Sequence, residues 1–247
     1  EGSSLGVLEV DESWRVVGFQ EKPRRPKPLP GKPESVLGSM GIYVFTTDAL
    51  IERLREAAEQ DRFDFGHGVI PMMIDGDDDV RAYSFGGDDR RYWRDVGTID
   101  AYWSANMDLI EPAPEINLYG EDWPLHTHQG NYPPAKFLYA EPSEGGRMGV
   151  AVDSIVSTGC IISGGRIQRC VLSPCVRTNS YSYAFESILM EGVDVGRYAK
   201  LRRVIVDKGV RIPPKTQIGY DPEEDAERFT VTDNGVVVIP KGYRFDG

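Results

Sequence analysis

The chain has 247 residues and a formal net charge of −11, from 28 Lys plus Arg against 39 Asp plus Glu. That length fits one large domain or two modest ones, and the apolar content fits a folded chain with a sizeable core. The acidic balance excludes a general nucleic-acid binder, which needs a broad basic surface, and no window approaches the roughly 18 uncharged apolar residues of a membrane span.

The chain begins EGSSLGVLEV, without Met, a basic n-region or an apolar h-region. This is no signal peptide, and either a tag or disordered segment precedes it or the chain is a piece of something longer. Leu5 to Val10 and Arg15 to Phe19 alternate as a β-hairpin around Asp11-Glu12-Ser13. Lys22 to Pro33 holds five Pro and five basic residues in twelve, so it is a solvated loop. Val36 to Phe45 (VLGSMGIYVF) reads as a buried strand. Thr46-Thr47-Asp48 caps a helix through Ala58, with Leu50, Leu54 and Ala57 or Ala58 on one face. Val80 to Phe85 reads as a further strand, and residues 86–91 as a polar loop. Thr98 caps a second helix to about Leu109, with Ala101, Tyr102, Ala105 and Leu109 on one stripe, stopped by Pro112 and Pro114. Strands alternating with helices predict an α/β sheet.

Residues 115–148 read as a connector, rich in Pro and poor in periodicity. From about Gly149 the pattern changes. Ile155, Ile161 and Ile167 recur at six, as do Val204, Val210 and Thr216, and Val193 with Ala199. Small or turn residues fall between them. Period six with one inward aliphatic per turn is the signature of a hexapeptide β-helix. The register slips near Cys170 to Ser187 and near Leu201 to Val204, which predicts coils with shorter or bulged turns.

Few residues point to chemistry by themselves. Asp95, between a polar loop and a capped helix, suits Mg²⁺, which takes one or two carboxylates plus substrate phosphates; a carboxylate satisfied by nearby backbone N–H groups fits as well. Glu21 can accept sugar hydroxyls and Lys22 can hold a phosphate, or the two form an exposed ion pair. The three His lie at 67, 126 and 128, outside the β-helix. That argues against a hexapeptide acyltransferase, which needs a general base near the coils. Cys160, Cys170 and Cys175 make neither a disulfide framework nor a metal motif. From Arg197 to Lys215 there are seven basic residues and one acid. Such a window fits a small polyanion, or a face pairing with a neighbouring subunit's acids.

Together, GFQEKP, LGSMGIYVF, DFGHGVIP, YWRDVGTIDAYWSANMDL, NLY with DWP, PPAKF, SIVSTGCIISGG, MEGVDVGR and LRRVIVDKGVRIP resemble ADP-glucose pyrophosphorylase (glucose-1-phosphate adenylyltransferase) of the bacterial type. The resemblance runs in order across roughly Leu5 to Val238. It implies α/β plus all-β architecture: the C-terminal part of a Rossmann-like nucleotidyltransferase domain at 1–114, the connector at 115–148, and a left-handed parallel β-helix at 149–247. It implies adenylyl transfer from ATP to α-glucose 1-phosphate, feeding glycogen or starch synthesis in the cytoplasm, with Mg²⁺ and a homotetramer. Asp95 matches a metal aspartate, and Lys22 the lysine that holds the sugar phosphate. Glu21, Ser39, Tyr43, Asp64, Phe65 and Trp93 match the sugar pocket. Lys208, with Arg202 and Arg203 nearby, falls where a phosphorylated or carboxylate effector binds.

Nothing here matches the family's Gly-rich nucleotide loop, and the second metal aspartate is upstream in the family. His67 stands where a lysine often follows DFG. The chain alone is therefore expected not to turn over ATP. The alternatives are a non-catalytic regulatory subunit of the same family, or a transferase for another sugar phosphate or nucleotide.

Overall fold

The computed structural model describes residues 5–29, 31–85, 92–121, 124–141, 143 and 145–245. The loop expected at 86–91 and the first two residues of the DWP motif lie outside these. Two compact units divide the chain, Glu1–Arg91 and Tyr92–Gly247.

The first unit is built on a three-stranded antiparallel sheet. β1 (Gly6–Val10) and β2 (Val16–Glu21) form the expected hairpin, with Leu8 opposite Phe19 and a register shift at Glu9/Val10. Asp11 Oδ1 closes the turn by accepting from the amides of Ser13 and Arg15 at 2.8 and 3.0 Å, the self-bonding that places Asp in turns. β3 (Leu37–Gly38) pairs with the other edge of β1. The longer strand expected from Val36 to Phe45 does not form: Ile42 and Val44 are 71% and 96% exposed. β-Propensity supplies a residue suited to a pleated surface, but a strand also needs a partner edge, and among the described residues the pairing stops at Gly38. The strand expected at Val80–Phe85 reduces to a bridge between Arg81 and Arg15.

Helix α1 (Thr47–Glu59) follows. Ala57 is buried, whereas Leu54 of the expected stripe is 41% exposed. A five-residue π-helical turn, Phe65–Val69, runs straight into α2 (Ile70–Asp75). Ala57, Val69, Ile70, Met72 and Met73 make this unit's core, with Phe19, Phe45 and Phe65 against it.

The second unit is a parallel β-solenoid with α3 (Ile99–Asp108) laid on it. Three parallel faces run through it, and the first begins at Lys136–Leu138, ahead of residue 149. Successive coils are offset by 16 or 17 residues (Ile155 to Val171 to Ile188 to Ile205) rather than three hexapeptides. This short coil accounts for the register slips. Three inward columns fill the interior: Ile162–Thr178–Val195–Ile212, Ile167–Ala184–Leu201–Ile218 and Leu172–Leu189–Val206–Ile239. All twelve are almost completely buried.

Corners are turned by left-handed residues stacked coil over coil. Asp153, Arg169, Glu186 and Arg203 have φ of 48°, 51°, 46° and 54°, and Tyr181, Tyr198 and Lys215 have 62°, 60° and 66°. The first of these columns alternates in charge, with Glu186 ion-paired to Arg169 and to Arg203, each at 3.5 Å.

The third face is apolar on both sides. Its outward column, Ile155–Val171–Ile188–Ile205, is covered by α3 through Tyr102, Trp103 and Met107, together with Ile110 just beyond the helix. Thr98 caps α3 as predicted, its Oγ1 accepting from the Ala101 amide at 3.2 Å. At the far end, α4 (Pro222–Arg228) is tied on by buried Asp225, whose Oδ2 accepts from the Gly219 amide at 2.7 Å.

Candidate functional site

Six of the expected site residues lie in the first unit, and contacts link them in a chain. Glu21 ends β2, and its carboxylate packs over Gly66: a Cβ there would lie 2.6 Å from Glu21 Oε2. A side chain there would push the carboxylate aside, so glycine keeps it in place where it crosses the start of the π-helical turn. Phe65, one residue earlier, stacks on Tyr43 with ring centres 5.7 Å apart and planes 17° from parallel. Phe45 tilts against Phe65 at 5.9 Å. The Tyr43 hydroxyl lies 3.3 Å from Ser39 Oγ, which also accepts from the Gly41 amide at 3.2 Å.

Asp64 caps the π-helical turn, its Oδ1 accepting from the His67 amide at 2.7 Å and lying 3.2 Å from His67 Nδ1. Those donors, the backbone amide first, hold its carboxyl below the usual range. Lys22 Nζ stands 3.8 Å from Glu21 Oε1, and its side chain is two-thirds exposed. Its backbone is left-handed, φ 46°, an uncommon conformation for a long side chain. The amide of Lys22 donates to Leu5 O at 3.1 Å, so the chain turns while still tied to the sheet.

The assembly offers an aromatic face, two carboxylates, two hydroxyls and one ammonium within a short stretch of structure. Carboxylates and hydroxyls suit sugar hydroxyls, and an exposed ammonium suits a phosphate.

Trp93 and Asp95 belong to the second unit, on the segment leading into α3. Asp95 is exposed, and its Oδ1 accepts from the Gly97 amide at 3.0 Å. Its Oδ2 accepts no hydrogen bond among the described residues. Among the described residues no group of three or more His, Cys, Asp or Glu could hold a metal. Asp95 can supply one hard oxygen ligand to a divalent cation.

The basic window is spread around the solenoid, because one coil goes once round. Lys200 and Arg202 are on the second face, Arg211 on the first, and Arg203 and Lys208 at the two ends of the third. Arg203 is committed to structure: its guanidinium lies over Trp103 at 4.2 Å and bonds Glu186 and the Asn234 carbonyl. Arg202 and Lys208 are exposed. Asp207 accepts from the amides of Lys208 and Lys241, at 2.6 and 3.1 Å. It thus fastens Lys241, which sequence reading passed over, to the same corner as Lys208. Only its distance in sequence concealed it.

Residues 1–111 match the nucleotidyl transferase family, and residues 133–239 match the GlmU-like C-terminal hexapeptide family. The nucleotidyl transferase match runs past the structural boundary at Arg91 and takes in α3. The chain is 49% identical to a glucose-1-phosphate adenylyltransferase of Anaeromyxobacter sp. (strain Fw109-5), over 100% of this chain and 62% of that protein. It is 48% identical to one from Koribacter versatilis, over 98% and 59%, and 48% identical to one from Rhodopirellula baltica, over 98% and 55%. The chain thus spans about 60% of the length of these curated relatives.

Proposed function

We propose, for a chain that belongs to the glucose-1-phosphate adenylyltransferases by likeness along its whole length, that it forms the sugar-phosphate-binding part and the β-solenoid of an enzyme joining ATP and α-glucose 1-phosphate into ADP-glucose and pyrophosphate. The observation that carries this reading is the linked cluster of Glu21, Gly66, Phe65, Tyr43 and Ser39 beside Lys22.

Glu21, Ser39 and Asp64 are assigned to the glucose hydroxyls, Phe65 and Tyr43 to the flank of the ring, and Lys22 to the phosphate. Trp93, in the second unit, is assigned to glucose binding from its motif alone. The sugar phosphate attacks the α-phosphorus of ATP in line, so this part of the protein acts by positioning and charge. A divalent cation, Mg²⁺ in this proposal, neutralises charge that develops on the phosphates. Asp95 is its ligand here, supported by its exposure and by an Oδ2 that accepts no hydrogen bond among the described residues. Arg202 and Lys208, with Lys241 beside the latter, are assigned to an anionic metabolite effector. Arg203, committed to Trp103, is not. A homotetramer, a glycogen or starch role and a cytoplasmic setting complete the proposal; the three cysteines are all free thiols, and no helix among the described residues is long and apolar enough to cross a membrane.

The test is pyrophosphate release by the intact enzyme that contains this chain, with ATP and glucose 1-phosphate against panels of other nucleotides and sugar phosphates. ADP-glucose formation with strong preference for this pair supports the proposal. Preference for another pair reassigns the substrate, and no turnover with any pair leaves the regulatory-subunit alternative.

A further inference from the structure

We infer that Asp108 is a positioning residue for Asp95. The inference rests on the reading of Asp95 as the metal ligand. Asp108 sits in the last turn of α3, thirteen residues after Asp95 in sequence. Its Oδ2 pairs with an Arg94 guanidinium nitrogen at 2.9 Å and accepts from the Tyr92 hydroxyl at 3.4 Å. One carboxylate therefore holds two residues of the approach segment. Asp95 follows Arg94 directly in sequence, so holding Arg94 and Tyr92 against α3 limits where the Asp95 carboxylate can lie. The Asp95–Gly97 turn and the Thr98 cap then fix the step from this segment into α3.

The helix that carries Asp108 is itself anchored at several points. Trp103 Nε1 donates to Glu186 O at 2.9 Å, Thr232 Oγ1 donates to Asp100 Oδ1 at 2.7 Å, and Glu111 beyond its end pairs with Arg169 at 2.9 Å. Asp108 thus gives Asp95 a rigid reference, the role a supporting residue plays toward a metal ligand. Among the described residues the Asp108 side chain pairs with this one segment.

The test uses Asp108→Ala and Arg94→Ala in the intact enzyme. An ion pair this exposed shifts an equilibrium by up to about fivefold, so losing it loosens the segment by up to about that factor. Amide hydrogen exchange across residues 92–98 should rise by about that factor in both variants, with the solenoid strands unchanged. The Mg²⁺ concentration giving half-maximal rate should rise, with KM for glucose 1-phosphate nearly constant. The double variant should be no worse than either single one, and Asp108→Asn, which keeps an acceptor oxygen, should recover part of the loss. Unchanged exchange at 92–98, or loss of protection throughout α3, overturns the positioning role. Asp95→Asn separates the two readings: if it leaves Mg²⁺ dependence intact, the metal assignment fails; if it abolishes activity while Asp108→Ala changes nothing, only the positioning fails.

Discussion

The Arg203 guanidinium lies 4.2 Å above the Trp103 indole, so a solenoid corner grips the middle of α3. The same indole donates to the carbonyl of Glu186, the next charged corner residue down the column. The two coils that form the parallel ladder therefore also hold the helix that follows Asp95. Removing Trp103 should be the costlier change. Trp103→Ala takes a large aromatic from the apolar joint and should cost about 3 kcal/mol. Arg203→Ala removes a cation–π contact and packing of its stem, for about 1 kcal/mol. The two share partners, so the double variant should cost less than the sum. Urea midpoints of the four proteins check this; strict additivity would mean the two side chains act independently.

How α3 joins the solenoid shows where sequence reading stopped. The Thr98 cap and helix length were legible because capping is local. The buried stripe was legible only in part: of Ala101, Tyr102, Ala105 and Leu109, Tyr102 packs at the joint, beside Trp103, Met107 and Ile110, because the partner surface is remote in sequence. Likewise, spacing of six pointed to the solenoid but placed Ile155 inside. Ile155 packs outward against α3, and its neighbour Val156 faces in. The available signal was the apolar pairs Ile155-Val156, Val171-Leu172, Ile188-Leu189 and Ile205-Val206, each a full coil apart, which mark a face apolar on both sides. In the first unit, Glu21 and Lys22 were legible as a motif. The contact of Glu21 with Gly66 depends on how a π-helical turn lies beside a strand end, which no short-range pattern encodes.

Gly66→Ala tests that contact directly. A Cβ 2.6 Å from Glu21 Oε2 must displace the carboxylate, a flexible group that can swing aside without unfolding the unit. KM for glucose 1-phosphate should rise about tenfold, the scale of one charged hydrogen bond, with a smaller change in kcat. Steady-state kinetics with varied sugar phosphate measure this. An effect confined to ATP would remove Glu21 from the sugar site.

The three thiols should separate by reactivity. Cys160 and Cys170 are buried and Cys175 is exposed at a corner. Burial pushes the Cys170 thiol up to about 12 and raises Cys160 as well, which removes the reactive thiolate. A chromogenic disulfide reagent at pH 8 should label one thiol per native chain quickly, and three after denaturation. Retention of the fast phase in Cys175→Ser would assign it elsewhere.

Asp225 gives a pH dependence whose sign is fixed. It is 2% exposed, and burial raises its carboxyl above the ordinary 3.8, against a lowering from the Gly219 amide. A folded-state value above the unfolded one means that the native state holds the proton longer. The resulting stability is present below about pH 3.8 and is lost as pH rises through the folded value. Asp225→Asn keeps an oxygen for the Gly219 amide but cannot ionise. The variant should therefore gain stability relative to the native protein as pH rises from about 3.5 toward neutrality, then hold a constant difference. Urea unfolding across that range, with Glu224→Gln as a control for the exposed neighbour, measures the slope. A native-minus-variant difference independent of pH would show that the Gly219 hydrogen bond fully offsets burial at this site.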